Sequence, residues 1–213
     1  MKELFKAVNE ELQAERPVVF AGIIESEGSS PRHSGAAMLA FGDGSFLGTV
    51  GGGAVEARAM ALCQKAFEQR ASFIETLRLE AKGKSELDML CGGTATLFFQ
   101  YIFPTEENRR LFSTAENCFE QPGNAFLALR IRADFRWDAA VVALGASAPL
   151  AATSGFGEWS APHLAAGRAA LLREEGHTLL FARPLTSDGT VYLFGAGHIA
   201  HALAPLLSWL GFS

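Results

Sequence analysis

Three consecutive glycines, Gly51, Gly52 and Gly53, sit where a strand pattern hands over to a helix pattern, and this junction constrains the fold more than any other stretch. Upstream, residues 36–41 (AAMLAF) and 45–50 (SFLGTV) are apolar runs separated by Gly42-Asp43-Gly44, a β-hairpin signature. Downstream, Val55, Ala59, Leu62 and Ala66 recur at helical spacing, which predicts an amphipathic helix over 54–70. A helix start presents unpaired backbone N–H groups and the positive end of its dipole, and glycine lets a ligand come close to them. The stretch GTVGGGAVE (48–56) therefore reads either as an anion-binding turn or as a tight strand-to-helix connection without a ligand. Glu56 has the same two readings: a general base, or an acid that satisfies the helix start.

The chain around this junction has 213 residues, of which 49% are apolar, enough for one substantial core. A net charge of -5 argues against nucleic-acid or membrane-surface binding. No apolar run is long enough to span a bilayer, and residues 1–16 form an acidic amphipathic pattern that is not a secretory leader. Three scattered cysteines suit neither a disulfide framework nor a four-ligand zinc site, so a cytoplasmic protein with reduced thiols is expected.

The remaining elements follow from periodicity. A helix is predicted over 2–14, a strand over 18–24, a polar loop over 25–35, strands over 72–80 and 94–103, and a helix over 105–120 N-capped by Thr105. Strands are predicted over 125–132 and 139–144, loop with an edge strand over 145–159, a short helix over 162–175 and a strand over 177–182. Residues 183–189 (RPLTSDG) have linker composition, and 190–194 (TVYLF) reads as a strand leading into a helix. The fold class is α/β: a mixed α/β domain over 1–183, then a linker and the first strand-helix unit of a Rossmann-like domain over 184–213.

Four groups of residues carry chemistry. In the loop 28–35, Ser29, Ser30 and Arg32 can bind a phosphate or carboxylate, or form an ordinary turn with an exposed arginine. Cys91 precedes Gly92 and Gly93, which leaves its sulfur approachable, whereas Cys63 and Cys118 fall on apolar helix faces and read as small buried hydrophobes. Gly195, Gly197 and His198 belong to GAGHIA, a dinucleotide-type fingerprint with Ala in the third glycine position. No ribose-binding acid follows it before Ser213, so an incomplete nucleotide unit and no tight NAD(P) binding are expected. His198 and His201 share a helix face without a third ligand, and no metal site is assigned.

In order along the chain, GSSPRHSGAAML (28–39), GTVGGGAVE (48–56), LCGG (90–93) and VYLFGAGHIAHALAPLLSWLGF (191–212) resemble the XdhC/CoxI family of xanthine dehydrogenase accessory factors. That family's pattern is G-S-x-P-R-x-x-G, G-T-x-G-G-G-x-x-E, C-G-G and a Rossmann-type domain opening G-A-G-H, here truncated. The resemblance implies a cofactor chaperone rather than an enzyme with catalytic residues. Such a protein binds the molybdenum cofactor (molybdopterin type) transiently. It assists sulfuration with a cysteine desulfurase and delivers the cofactor to apo-xanthine dehydrogenase or a related molybdenum hydroxylase. Cofactor-binding residues are then expected among Ser29, Ser30, Arg32, Gly51, Gly52, Gly53, Glu56, Cys91, Gly92 and Gly93, in one cleft. A homodimer, or docking of 190–213 onto the first domain, is expected to cover the apolar C-terminal unit. An NAD(P)-dependent oxidoreductase and a non-catalytic interaction module are the alternatives.

Overall fold

The computed structural model describes residues 1–28, 35–79, 93–120, 125–143, 149–154, 170–173, 178–185 and 191–209. Helix α1 (Lys2–Gln13) places Leu4, Phe5, Val8 and Leu12 on one buried face. Strands β1 (Val18–Gly28), β2 (Ala37–Ala40) and β3 (Phe46–Thr49) form an antiparallel meander, and α2 (Gly53–Gln69) follows. Strands β4 (Phe73–Leu79) and β5 (Gly93–Ile102) complete a five-stranded antiparallel sheet in the order β3-β2-β1-β5-β4.

Helix α3 (Glu106–Cys118) begins where Thr105 accepts a hydrogen bond from the Asn108 N–H, the cap the sequence predicts. A second antiparallel sheet then forms from β6 (Ala125–Ile131), β7 (Trp137–Ala143), β8 (Ala151–Ala152), β9 (Ala170–Arg173) and β10 (Leu179–Pro184), in the order β8-β7-β6-β10-β9. Helix α4 (His198–Trp209) is the last described element. The architecture is mixed α/β, as the sequence predicts.

Strand alternation divides the first sheet's side chains between two cores. Val19, Ala21, Ile23, Leu97 and Phe99 meet Val55, Ala59, Leu62 and Cys63 of α2. On the other face, Phe20, Leu39, Phe98 and Ile102 join α1, α3 and the inner face of the second sheet, including Leu127, Leu129 and Phe181. Phe5 centres this larger core, with ring centroids 5.9 Å from Phe20, 5.9 Å from Phe112 and 5.4 Å from Phe119. Truncating so enclosed an aromatic ring typically costs about 3–5 kcal/mol.

Four predicted elements differ from the structure. Residues 25–28, read as polar loop, continue β1, because β5 pairs with them as far as Gly28 opposite Gly93. Residues 170–173, placed in a short helix, are β9, drawn into the sheet by Leu171 opposite Phe181 and Leu172 opposite Leu180. Arg183 and Pro184, read as the start of a linker, extend β10 opposite Leu127 and Phe126. Residues 191–196 form no strand, since neither sheet offers them a partner among the described residues.

Candidate functional site

The sheet's connectivity gathers the motifs at one end. Ala37 opposes both Gly22 and Thr49, so the start of β2 and the end of β3 lie level with the middle of β1. Gly93 opposes both Gly28 and Leu79, so β1, β4 and β5 have matching ends on the same side of the sheet. β1, β3 and β4 therefore end, and β2 and β5 begin, on the same side of the sheet. The two levels are not flush. Phe98 opposes Gly22, so β5 runs five residues further, to Gly93, which is about 16 Å at about 3.3 Å per residue. The glycine turn thus sits at the foot of a projecting three-stranded step.

At this strand-to-helix junction each glycine has its own physics. Gly48 has φ +83°, and a Cβ there would come 2.8 Å from the Ala37 carbonyl oxygen and 3.0 Å from Leu4 Cδ2, so this glycine is required by the fold. Gly53, at φ +57°, also takes a left-handed conformation. Gly52 differs from both: it is extended, at φ −166°, and a Cβ would meet nothing within 4 Å. Among the described residues nothing requires a glycine at 52, and none of them fills the space a side chain there would take. Gly52 is the N-cap of α2 and brings no side chain to the helix start, whereas Thr105 caps α3. Among the described residues no side chain caps the first amides of α2.

Glu56 does not cap this helix. Its Oε2 accepts a hydrogen bond from the Thr49 hydroxyl, which also lies 2.7 Å from the Gly51 carbonyl oxygen. Thr49 Oγ1 in turn accepts from the Gly51 N–H at 3.1 Å. Thr49 thus ties the end of β3, the glycine turn and the first turn of α2 into one unit, and among the described residues Glu56 Oε1 has no further donor. The sequence reading missed this role of Thr49, although a threonine two residues before a glycine turn is a signal for such a bond.

Of the predicted site residues, the structure brings Gly51, Gly52, Gly53 and Glu56 together and puts Gly93 at the end of the step. The predictions for Ser29, Ser30, Arg32, Cys91 and Gly92 fall outside the described residues. Cys63 is fully buried in the α2 core, and burial pushes its thiol up to about 12, so it stays protonated and unreactive. Cys118 is half-buried, and burial raises its thiol as well. Gly195, Gly197 and His198 are exposed, with Tyr192 77% and Phe194 98% exposed beside them. The expected docking of this unit onto the first domain is thus not made among the described residues, because the strand that would have joined a sheet is not formed. No three His, Cys, Asp or Glu side chains cluster in metal-binding geometry among the described residues. No helix among them is long and apolar enough to cross a membrane.

The residues that build the glycine turn fall inside a family match: the XdhC and CoxI family model matches residues 11–79. The chain resembles the XdhC and CoxI family. Over 82 residues it is 38% identical to the Escherichia coli K12 protein YqeB, covering 38% of this chain and 15% of that one. A crystal structure described as a xanthine dehydrogenase from Bacillus halodurans aligns with a TM-score of 0.68 at 22% identity. That alignment covers 99% of this chain and 60% of the other, and it shows a shared fold. The chain thus spans less than two thirds of either relative's length.

Proposed function

We propose that this chain is the cofactor-holding part of an accessory factor for xanthine dehydrogenase or a related molybdenum hydroxylase. The observation that carries the reading is Gly52. It is an extended glycine at a helix start where, among the described residues, nothing lies within 4 Å of a would-be Cβ and no side chain caps the helix, inside the stretch that matches the XdhC and CoxI family. A glycine that the fold does not require is explained by a ligand that comes up to the backbone.

The chemistry of the turn suits a molybdopterin. The uncapped amides of α2 and its dipole favour the phosphate. The second oxygen of Glu56 suits the amino and ring N–H groups of a pterin, and Thr49 holds that carboxylate in place. When bound, the cofactor supplies the molybdenum centre that sulfuration modifies. The chain's own residues bind, orient and shelter it, and no catalytic residue is assigned. In this proposal Arg32, with Ser29 and Ser30, adds charge and hydrogen bonds to the phosphate. Cys91, flanked by Gly92 and Gly93, offers a soft thiolate toward the metal. The cofactor passes on to an apo-hydroxylase after a cysteine desulfurase has acted, and the carrier works as a homodimer in the cytoplasm.

The test is the ligand itself. The purified protein is denatured, oxidised, and its released small molecules are separated with fluorescence detection. A pterin present in near-stoichiometric amount after expression in a host that makes the molybdenum cofactor supports the proposal. Its absence there, together with no binding of cofactor released from a molybdoenzyme, contradicts it.

A further inference from the structure

Between the two sheets lies a small, partly open cavity that the proposed function does not use. Arg183 projects into it from β10 and is only 4% exposed. The strand opposite makes room: a Cβ on Gly22 would lie 2.5 Å from Arg183 Nη2, so glycine at 22 is what seats the guanidinium. Its flat face lies over Phe20, 4.7 Å from the ring centroid, and Phe181, at 5.7 Å.

Polar partners are scarce. Among the described residues Arg183 forms no ion pair; its Nε has no partner, and Nη1 reaches only the weakly accepting Met1 sulfur, at 3.6 Å. Gln100, opposite Phe20 in the β1–β5 ladder and 2% exposed, lines the same cavity, and its Nε2 is also unpartnered. Burial pushes the guanidinium down to about 10, which leaves it cationic at neutral pH. A buried cation with no counter-charge is strongly unfavourable, and both orphaned groups are N–H donors. The rest of the wall is apolar, including Phe98, Phe112, Leu127 and Leu129. The centre of a water-sized sphere can range over about 10 Å³ there, room for about one such particle and no polyatomic anion of phosphate size.

We propose that this inter-sheet cavity binds one halide-sized monovalent anion, chloride being the available example, through the Arg183 guanidinium and the Gln100 side-chain amide. A water would accept the same hydrogen bonds but leave the charge uncompensated. The anion supplies both and joins β10 of one sheet to β5 of the other. It is distinct from the glycine turn, which lies at the sheet end and not between the sheets.

Two measurements test this. Crystals grown in bromide should give an anomalous peak within hydrogen-bonding distance of Arg183 and Gln100; a water at that position with no anomalous signal overturns the proposal. In solution, replacing gluconate with chloride or bromide at constant ionic strength should raise the melting temperature by about 2–4 °C. Arg183→Met should abolish that rise, and Gln100→Leu, which leaves the arginine in place, should reduce it. An equal melting temperature in gluconate and chloride for the native protein, or an undiminished rise in both variants, contradicts the proposal.

Discussion

Gly48, near the end of β3, and Gly52, at the start of α2, lie four residues apart, and alanine at each should have very different consequences. At Gly48, φ is +83° and the new Cβ would sit 2.8 Å from the Ala37 carbonyl oxygen, a backbone atom in a paired strand that cannot swing away. Left-handed backbone costs a residue with a Cβ about 1–2 kcal/mol, and forcing a methyl into an occupied site typically adds about 1–3 kcal/mol. Gly48→Ala should therefore lose about 2–5 kcal/mol, equivalent to a melting-temperature drop of about 5–15 °C for a chain of this size. At Gly52 the backbone is extended and a Cβ meets none of the described residues within 4 Å. There the lower entropy of the unfolded alanine chain and the slightly poorer N-cap nearly cancel, so Gly52→Ala should stay within about 0.5 kcal/mol of the native protein. Urea unfolding followed by far-ultraviolet circular dichroism measures both, with unchanged denaturant slopes as the check on two-state behaviour. If Gly52→Ala falls as far as Gly48→Ala, the open space at 52 is not real in solution, and the glycine is structural.

Thr49→Val removes the hydroxyl that joins β3 to Gly51 and Glu56 and should cost about 0.5–1.5 kcal/mol, with faster amide exchange at Gly51 in the folded protein; unchanged exchange would show that the tether does not order the turn. Cys63 gives a pH signature: its thiol titrates near 12 when folded and near 8.5 when unfolded. The folded chain holds the proton longer, so this group's contribution to stability is full below about pH 8.5 and declines above it, by about 2 kcal/mol at pH 10. Cys63→Ala should flatten the decline between pH 8.5 and 10 in urea midpoints, and an identical slope in both proteins would refute the assignment. For the proposed cofactor site, Arg32→Ala should weaken molybdopterin binding and reduce its salt dependence, because an ionic contact is screened. Cys91→Ala should weaken cofactor retention more than Cys63→Ala does, and equal retention would remove the thiol from the proposal.

The hairpin, α2 and the glycine turn were legible because every local signal there agrees: Gly-rich turns, an apolar strand pair and a 3.6-residue apolar period. Elements made by partners were not. Residues 25–28 (ESEG) have no strand propensity of their own and are strand because β5 runs beside them. Residues 170–173 (ALLR) are short and apolar enough for either helix or strand, and pairing with β10 decides it. Residues 191–194 show the converse: strand-like composition forms no strand without a neighbour. In the site, the sequence placed Gly51, Gly52, Gly53 and Glu56 together because they are adjacent, but it could not see that Thr49, rather than the helix amides, takes the Glu56 carboxylate. Arg183 was read as linker because Pro184 and a Ser-Asp-Gly turn follow it. The signal that was present is Gly22, a glycine inside an otherwise apolar strand, which marks the close approach of another group.

The central claim is that the open glycine turn at the start of α2 holds a molybdopterin, and the direct measurement is a titration of native protein and Gly52→Ala with cofactor released anaerobically from a molybdoenzyme. The account predicts saturable binding by the native protein and at least about tenfold weaker binding by Gly52→Ala, a difference of about 1.4 kcal/mol, with unfolding midpoints that match. Equal affinities for two equally stable proteins would contradict it and leave Gly52 a turn residue with no ligand.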